Sequence, residues 1–106
     1  MPSDPPILKP RVVHCQREPY DVYIGRPSKW GNPFRIVVPR RTRERAIQEY
    51  RDWLEGDQDL IMLHGNPPTF EEIIDELRGK TLGCWCAPKP CHGDVLLEVA
   101  NADEDP

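Results

Sequence analysis

A chain of 106 residues can bury one modest core and has no room for two lobes closing on a cleft. No apolar run approaches a membrane span, so no membrane partner is expected. The net charge of −4 conceals an asymmetry: 11 basic against 4 acidic residues between Lys9 and Arg51, and 3 against 14 elsewhere. The basic part suits a small phosphate-bearing ligand, while the acidic remainder would repel long duplex DNA.

Residues 1–10 are rich in proline and read as a flexible arm. They lack a basic and apolar leader, so a cytoplasmic protein is expected, in which the four cysteines stay reduced. Arg11 to Cys15 is short and β-branched and predicts a first strand, and Asp21 to Ile24 predicts a second, with Gln16 to Tyr20 turning between them.

Residues 25–34, Gly-Arg-Pro-Ser-Lys-Trp-Gly-Asn-Pro-Phe, form a stiff, irregular loop. Arg26, Ser28, Lys29 and Asn32 supply donors beside the indole of Trp30, and Gly25 and Gly31 permit a close approach of the backbone. Cations, a hydroxyl, an amide and an aromatic face are what a nucleotide needs for its phosphates, ribose and base. A surface loop packed by Trp30 and Phe34 is the plainer alternative.

Ile36 to Val38 could form an edge strand. Thr42 then caps a helix whose apolar residues Ala46, Ile47, Tyr50, Trp53 and Leu54 share one face, and Gly56 ends it. Leu60 to Leu63 is too brief to assign, and residues 64–68 read as a loop. Thr69 and Glu72 make a capping box for a helix that should bury Phe70, Ile73, Ile74 and Leu77 and stop at Gly79. Thr81 to Cys86 predicts a buried central strand, Ala87 to Pro90 a turn, and 93–100 a heavily packed helix opening near His92. Residues 101–106 read as an acidic tail. The order β-β-(β)-α-α-β-α describes a single α/β domain over 11–100, its small sheet flanked by helices, with a Rossmann-like site at the last strand-to-helix turn.

That turn carries the second constellation. Cys91 and His92 stand at a helix N-terminus, Gly93 lets a ligand reach the backbone, and free N–H groups there could hold a phosphate. His92 and Asp94 are the candidates for acid–base or nucleophilic work, and Cys91 for a thiol whose pKa the helix and the imidazole would lower. Cys86, at the strand end, joins the ligand-binding set. No cofactor is required by this reading. An alternative is zinc held by Cys84, Cys86, Cys91 and His92. Against it, a flat strand would hold the sulfurs of Cys84 and Cys86 well apart, and buried cysteines can act simply as small hydrophobes.

Tyr23 to Phe34 and Leu82 to Leu96 together resemble the signature of a small phage and bacterial family known as domain of unknown function 4326. The likeness runs from about Arg11 to about Glu98. It implies an origin in a phage or mobile element, a compact α/β domain, and a site shared by the two motif loops. It implies no reaction. The functional expectation is therefore a nucleotide- or nucleoside-binding domain, either acting at a ribosyl (N-glycosidic) bond or sequestering a host signalling nucleotide. Two others stay open: a zinc-stabilised module that binds a host protein or single-stranded nucleic acid, and a thiol enzyme using Cys91.

Overall fold

The computed structural model describes residues 10–102; most of the expected arm and the end of the acidic tail lie outside them. The elements follow as β1 (Val12–His14), β2 (Val22–Tyr23), α1 (Arg43–Leu54), α2 (Gln58–His64), α3 (Phe70–Leu77), β3 (Leu82–Cys84) and α4 (His92–Ala100). The strand that comes last in the chain lies in the middle of the sheet, with β1 and β2 parallel to it on either side. Val12 and Val22 both stand opposite Leu82, and all three residues of β3 are buried, as a strand covered on both faces requires.

The connection between β1 and β2 is a crossover rather than a hairpin, because the two strands flank β3 and do not pair with each other. It brings the Tyr20 ring flat onto the backbone of Gly83, where an added Cβ would sit 2.6 Å from the ring. Glycine is the residue that lets an aromatic lie on the middle strand.

Helix α1 starts at Thr42, whose hydroxyl accepts from Arg45 N at 3.2 Å, and buries Ala46, Tyr50, Trp53 and Leu54 along one stripe. The capping box of α3 forms as expected: Glu72 N donates to Thr69 Oγ1 at 3.0 Å, and Thr69 N to Glu72 Oε1 at 2.9 Å. Helix α4 packs against α1, α3 and β1 and buries Val95, Leu96 and Ala100.

Four local expectations need correction. Phe70 is 43% exposed. It is the first residue of α3, and a helical side chain leans toward the N-terminus, so its ring overhangs the start of the helix instead of entering the core. Leu60 to Leu63 belongs to α2, which Asp57 caps and which also takes in His64. Residues 36–38 form no strand; Val37 and Arg41 make one antiparallel bridge across a tight bend. The central strand stops at Cys84, two residues short of its expected end.

Candidate functional site

At the carboxyl ends of the strands the chain encloses a cavity of about 480 Å³. This is the position where open parallel sheets bind ligands, and the size lies within the usual range for small-molecule sites. One wall comes from Gly25, Arg26 and Asn32, another from Cys84 to Cys86 with Cys91 and His92, and a third from Arg35 to Val37 and the first turns of α1.

The two motif loops meet through His92. Its Nε2 lies 2.8 Å from the Ile24 carbonyl. A carbonyl only accepts, so Nε2 carries the proton and the neutral ring keeps its lone pair on Nδ1. Burial holds the His92 pKa below the ordinary histidine value, against the opposing pull of that hydrogen bond. The ring also stands edge-on to Tyr50, with centroids 5.0 Å apart.

Most donors of the 25–34 loop are engaged in holding the loop itself. Ser28 Oγ donates to Gly25 O at 2.6 Å and accepts from Trp30 N at 3.3 Å. Asn32 donates through Nδ2 to Ala46 O and accepts through Oδ1 from Phe34 N, tying the loop to α1. Lys29 reaches the opposite way, to Glu76 at 2.7 Å and Glu72 at 3.7 Å on α3. Trp30 is only 4% exposed, and its carbonyl accepts from the buried Tyr50 hydroxyl at 2.8 Å. Ser28, Lys29, Trp30 and Gly31 therefore do not border the cavity, whereas Gly25, Arg26 and Asn32 do. At Gly31 an added Cβ would come within 2.8 Å of Arg26 Cγ, so the bare backbone makes room for the arginine stem.

The charges at the cavity come partly from residues the sequence had not singled out. Arg35 and Arg43 join Arg26 in its lining, which includes no carboxylate. Among the described residues these three arginines pair with no acidic side chain, whereas Arg41 and Arg45 share Glu49 and Arg51 is met by Glu98. Arg43 is steadied by donating to Pro90 O at 3.0 Å, which links α1 to the turn before α4. The exposed aromatic face is Trp85, not Trp30. Trp85 is 53% exposed, lines the cavity, and donates from Nε1 to Tyr23 Oη at 2.9 Å. Ile36 and Val37 add an accessible apolar rim.

At the start of α4, Cys91 is the N-cap and Asp94 completes a second capping box. The Asp94 carboxylate accepts from Cys91 N at 3.1 Å and does not border the cavity. Gly93 N donates to Cys91 Sγ at 3.3 Å. A Cβ on Gly93 would lie 2.7 Å from Ile24 Cδ1 and 2.8 Å from Val12 Cγ2, so glycine here serves close packing of α4 on the sheet. The Cys91 thiol is not activated as expected. Its hydrogen bond to Cys84 and its burial push its pKa up, whereas that same bond from Cys91 favours a thiolate on Cys84 and pushes Cys84 down.

The sulfurs of Cys84, Cys86 and Cys91 converge, contrary to the expectation from a flat strand. They lie within 4.8 Å of one another. Because β3 ends at Cys84, Cys86 lies in a bend where the alternation of strand side chains no longer applies. His92 does not belong to this group of converging ligand atoms.

The architecture defines a small parallel α/β domain with a cavity at the carboxyl edge of its three-stranded sheet. The chain belongs to the family described as domain of unknown function 4326, whose model matches residues 9–102. It is 34% identical over 91 residues to the uncharacterized 12.4 kDa protein in the nrdA-td intergenic region of Enterobacteria phage T4, covering 86% of this chain and 77% of that one. It is 31% identical over 97 residues to an uncharacterized protein of Acanthamoeba polyphaga mimivirus, covering 74% of this chain and 65% of the relative. No solved structure matches the chain.

Proposed function

We propose that this domain binds a small phosphate-bearing nucleotide or nucleoside in the cavity at the carboxyl edge of its sheet. The observation that carries the reading is the concentration of Arg26, Arg35 and Arg43 around one concave space whose lining includes no carboxylate. Arginines without an acidic partner hold a field that a phosphate would neutralise, with bidentate hydrogen bonds available from each guanidinium. The half-exposed Trp85 indole and the Ile36–Val37 rim offer the apolar surface a base needs. The proposal is one of binding rather than turnover. The cavity lining holds no carboxylate to act as nucleophile or base at a ribosyl bond, and the Asp94 carboxylate is occupied in capping α4.

Titration calorimetry of the full chain tests this, using nucleoside mono-, di- and triphosphates together with NAD-derived and cyclic nucleotides. At least one should bind at a single site, and Arg43→Ala should weaken it about tenfold or more, which corresponds to about 1.4 kcal/mol. Absence of heat with every ligand, from protein whose circular dichroism shows it folded, would overturn the reading.

A further inference from the structure

We propose that Cys84, Cys86 and Cys91 form a three-thiolate zinc site whose fourth position is supplied from the cavity rather than by the protein. Geometry carries the proposal. The Cys84 and Cys91 sulfurs are 3.8 Å apart, and all three sulfurs lie within 4.8 Å of one another. A tetrahedral ion with zinc–sulfur bonds of about 2.3 Å requires sulfur–sulfur edges of about 3.8 Å. The Cys84 and Cys91 sulfurs therefore already stand at their coordinating separation, and the half-buried Cys86 is the one left to close the remaining gap of up to about 1 Å.

The surroundings suit thiolates. Cys84 and Cys91 are buried, and Gly93 N donates to Cys91 Sγ from the first turn of α4. A backbone N–H at a helix N-terminus stabilises negative charge on sulfur. The turn that brings the sulfurs together is itself fixed: Lys89 N donates to Cys86 O at 2.9 Å, and Arg43 holds Pro90 from α1. Soft thiolate donors select zinc over the hard cations.

The number of ligands sets the type of site. Among the described residues no fourth His, Cys, Asp or Glu joins the group. All three cysteines also line the cavity. Structural zinc sites are closed by four protein ligands, and a site with three keeps a position for water or an exogenous donor. This site would take its last ligand from the same space that Arg26, Arg35 and Arg43 surround. The metal proposal does not rest on nucleotide binding, and its readouts are independent of any nucleotide.

The test uses the full chain without a metal-binding tag, purified under reducing conditions, dialysed against zinc, and analysed for bound metal. About one equivalent is expected, removable by chelator with a fall in thermal stability. Cobalt substitution should give thiolate-to-cobalt charge-transfer bands of the intensity three sulfurs produce, and added azide should shift the ligand-field bands by entering the fourth position. Cys84→Ser and Cys91→Ser alter buried residues and could unfold the chain, so Cys86→Ser, at a half-buried position, is the deciding variant. It should stay folded by circular dichroism and lose the zinc. Zinc retained in full by folded Cys86→Ser, three freely reactive thiols with no bound zinc, or a disulfide among the three would each overturn the site. Cobalt bands that ignore azide would overturn the open fourth position.

Discussion

His92 Nε2 donates to the carbonyl of Ile24 at 2.8 Å, so the first turn of the closing helix is fastened to the strand end from which the donor-rich loop departs. These two residues, 68 positions apart, make the two conspicuous motifs into one structure. His92→Ala removes a buried ring and leaves the Ile24 carbonyl unpaired. A loss of about 3 kcal/mol is expected by urea unfolding, the size usual for deleting a buried ring together with its hydrogen bond.

Gly93→Ala tests the packing of α4 on the sheet. Its new methyl would meet Ile24 and Val12, both fixed in strands or at a strand end, at 2.7 and 2.8 Å. Overpacking of this kind costs about 1–3 kcal/mol, more than alanine gains over glycine in helix propensity. Thermal unfolding should therefore show Gly93→Ala melting below the parent.

The proposed binding mode assigns the cavity a phosphate end at its arginines and a base end at Trp85. Arg43→Ala should weaken nucleotide and pyrophosphate alike. Trp85→Ala should weaken the nucleotide about tenfold, within the range for losing one aromatic stack, and leave pyrophosphate affinity unchanged. Lys29→Ala should alter neither, because its amine is paired with Glu72 and Glu76 on α3. Calorimetry of the three variants against both ligands distinguishes these outcomes.

The ion pairs on the helices predict a sensitivity to acid. Backbone hydrogen bonding from Thr69 holds the Glu72 pKa below its ordinary 4.5, and the Arg51 hydrogen bond lowers that of Glu98. A carboxylate with a depressed folded pKa takes up its proton first in the unfolded chain. Its contribution is complete above the unfolded pKa and disappears as pH falls through the folded one. Stability should thus decline from about pH 4.5 downward. Glu72→Gln should make that decline shallower in denaturant titrations at stepped pH, and Thr69→Ala should cost about 1 kcal/mol at neutral pH.

Much of the scaffold is legible in the residues, because local chemistry decides it. Thr69 and Glu72 announce a helix start, and the spacing of Ala46, Tyr50 and Trp53 announces a buried stripe. The central position of β3 follows from its apolar run beside glycine. The site is less legible. Donor types in the 25–34 loop do not reveal that Ser28 turns back on Gly25 within the loop, or that Asn32 and Lys29 serve a carbonyl of α1 and carboxylates of α3 that only the fold brings near. Arg35 and Arg43 look like any other members of a basic stretch until the fold leaves them facing a cavity. Cys91 hides a capping box because sulfur is an uncommon N-cap acceptor, although Asp94 three residues on was a usable signal. The convergence of the cysteines depended on where a strand ends, and strand ends are the detail that residue preferences define least.

The placement of the latest strand between the two earliest has a consequence for how the molecule comes into being. Val12 cannot find its neighbour until Leu82 has been made, and neither can Val22. Pairings across such separations form slowly and late. A ribosome must thus deliver the chain through Cys84 before the sheet of the described residues can exist, and the cavity at its carboxyl edge is born in the same event.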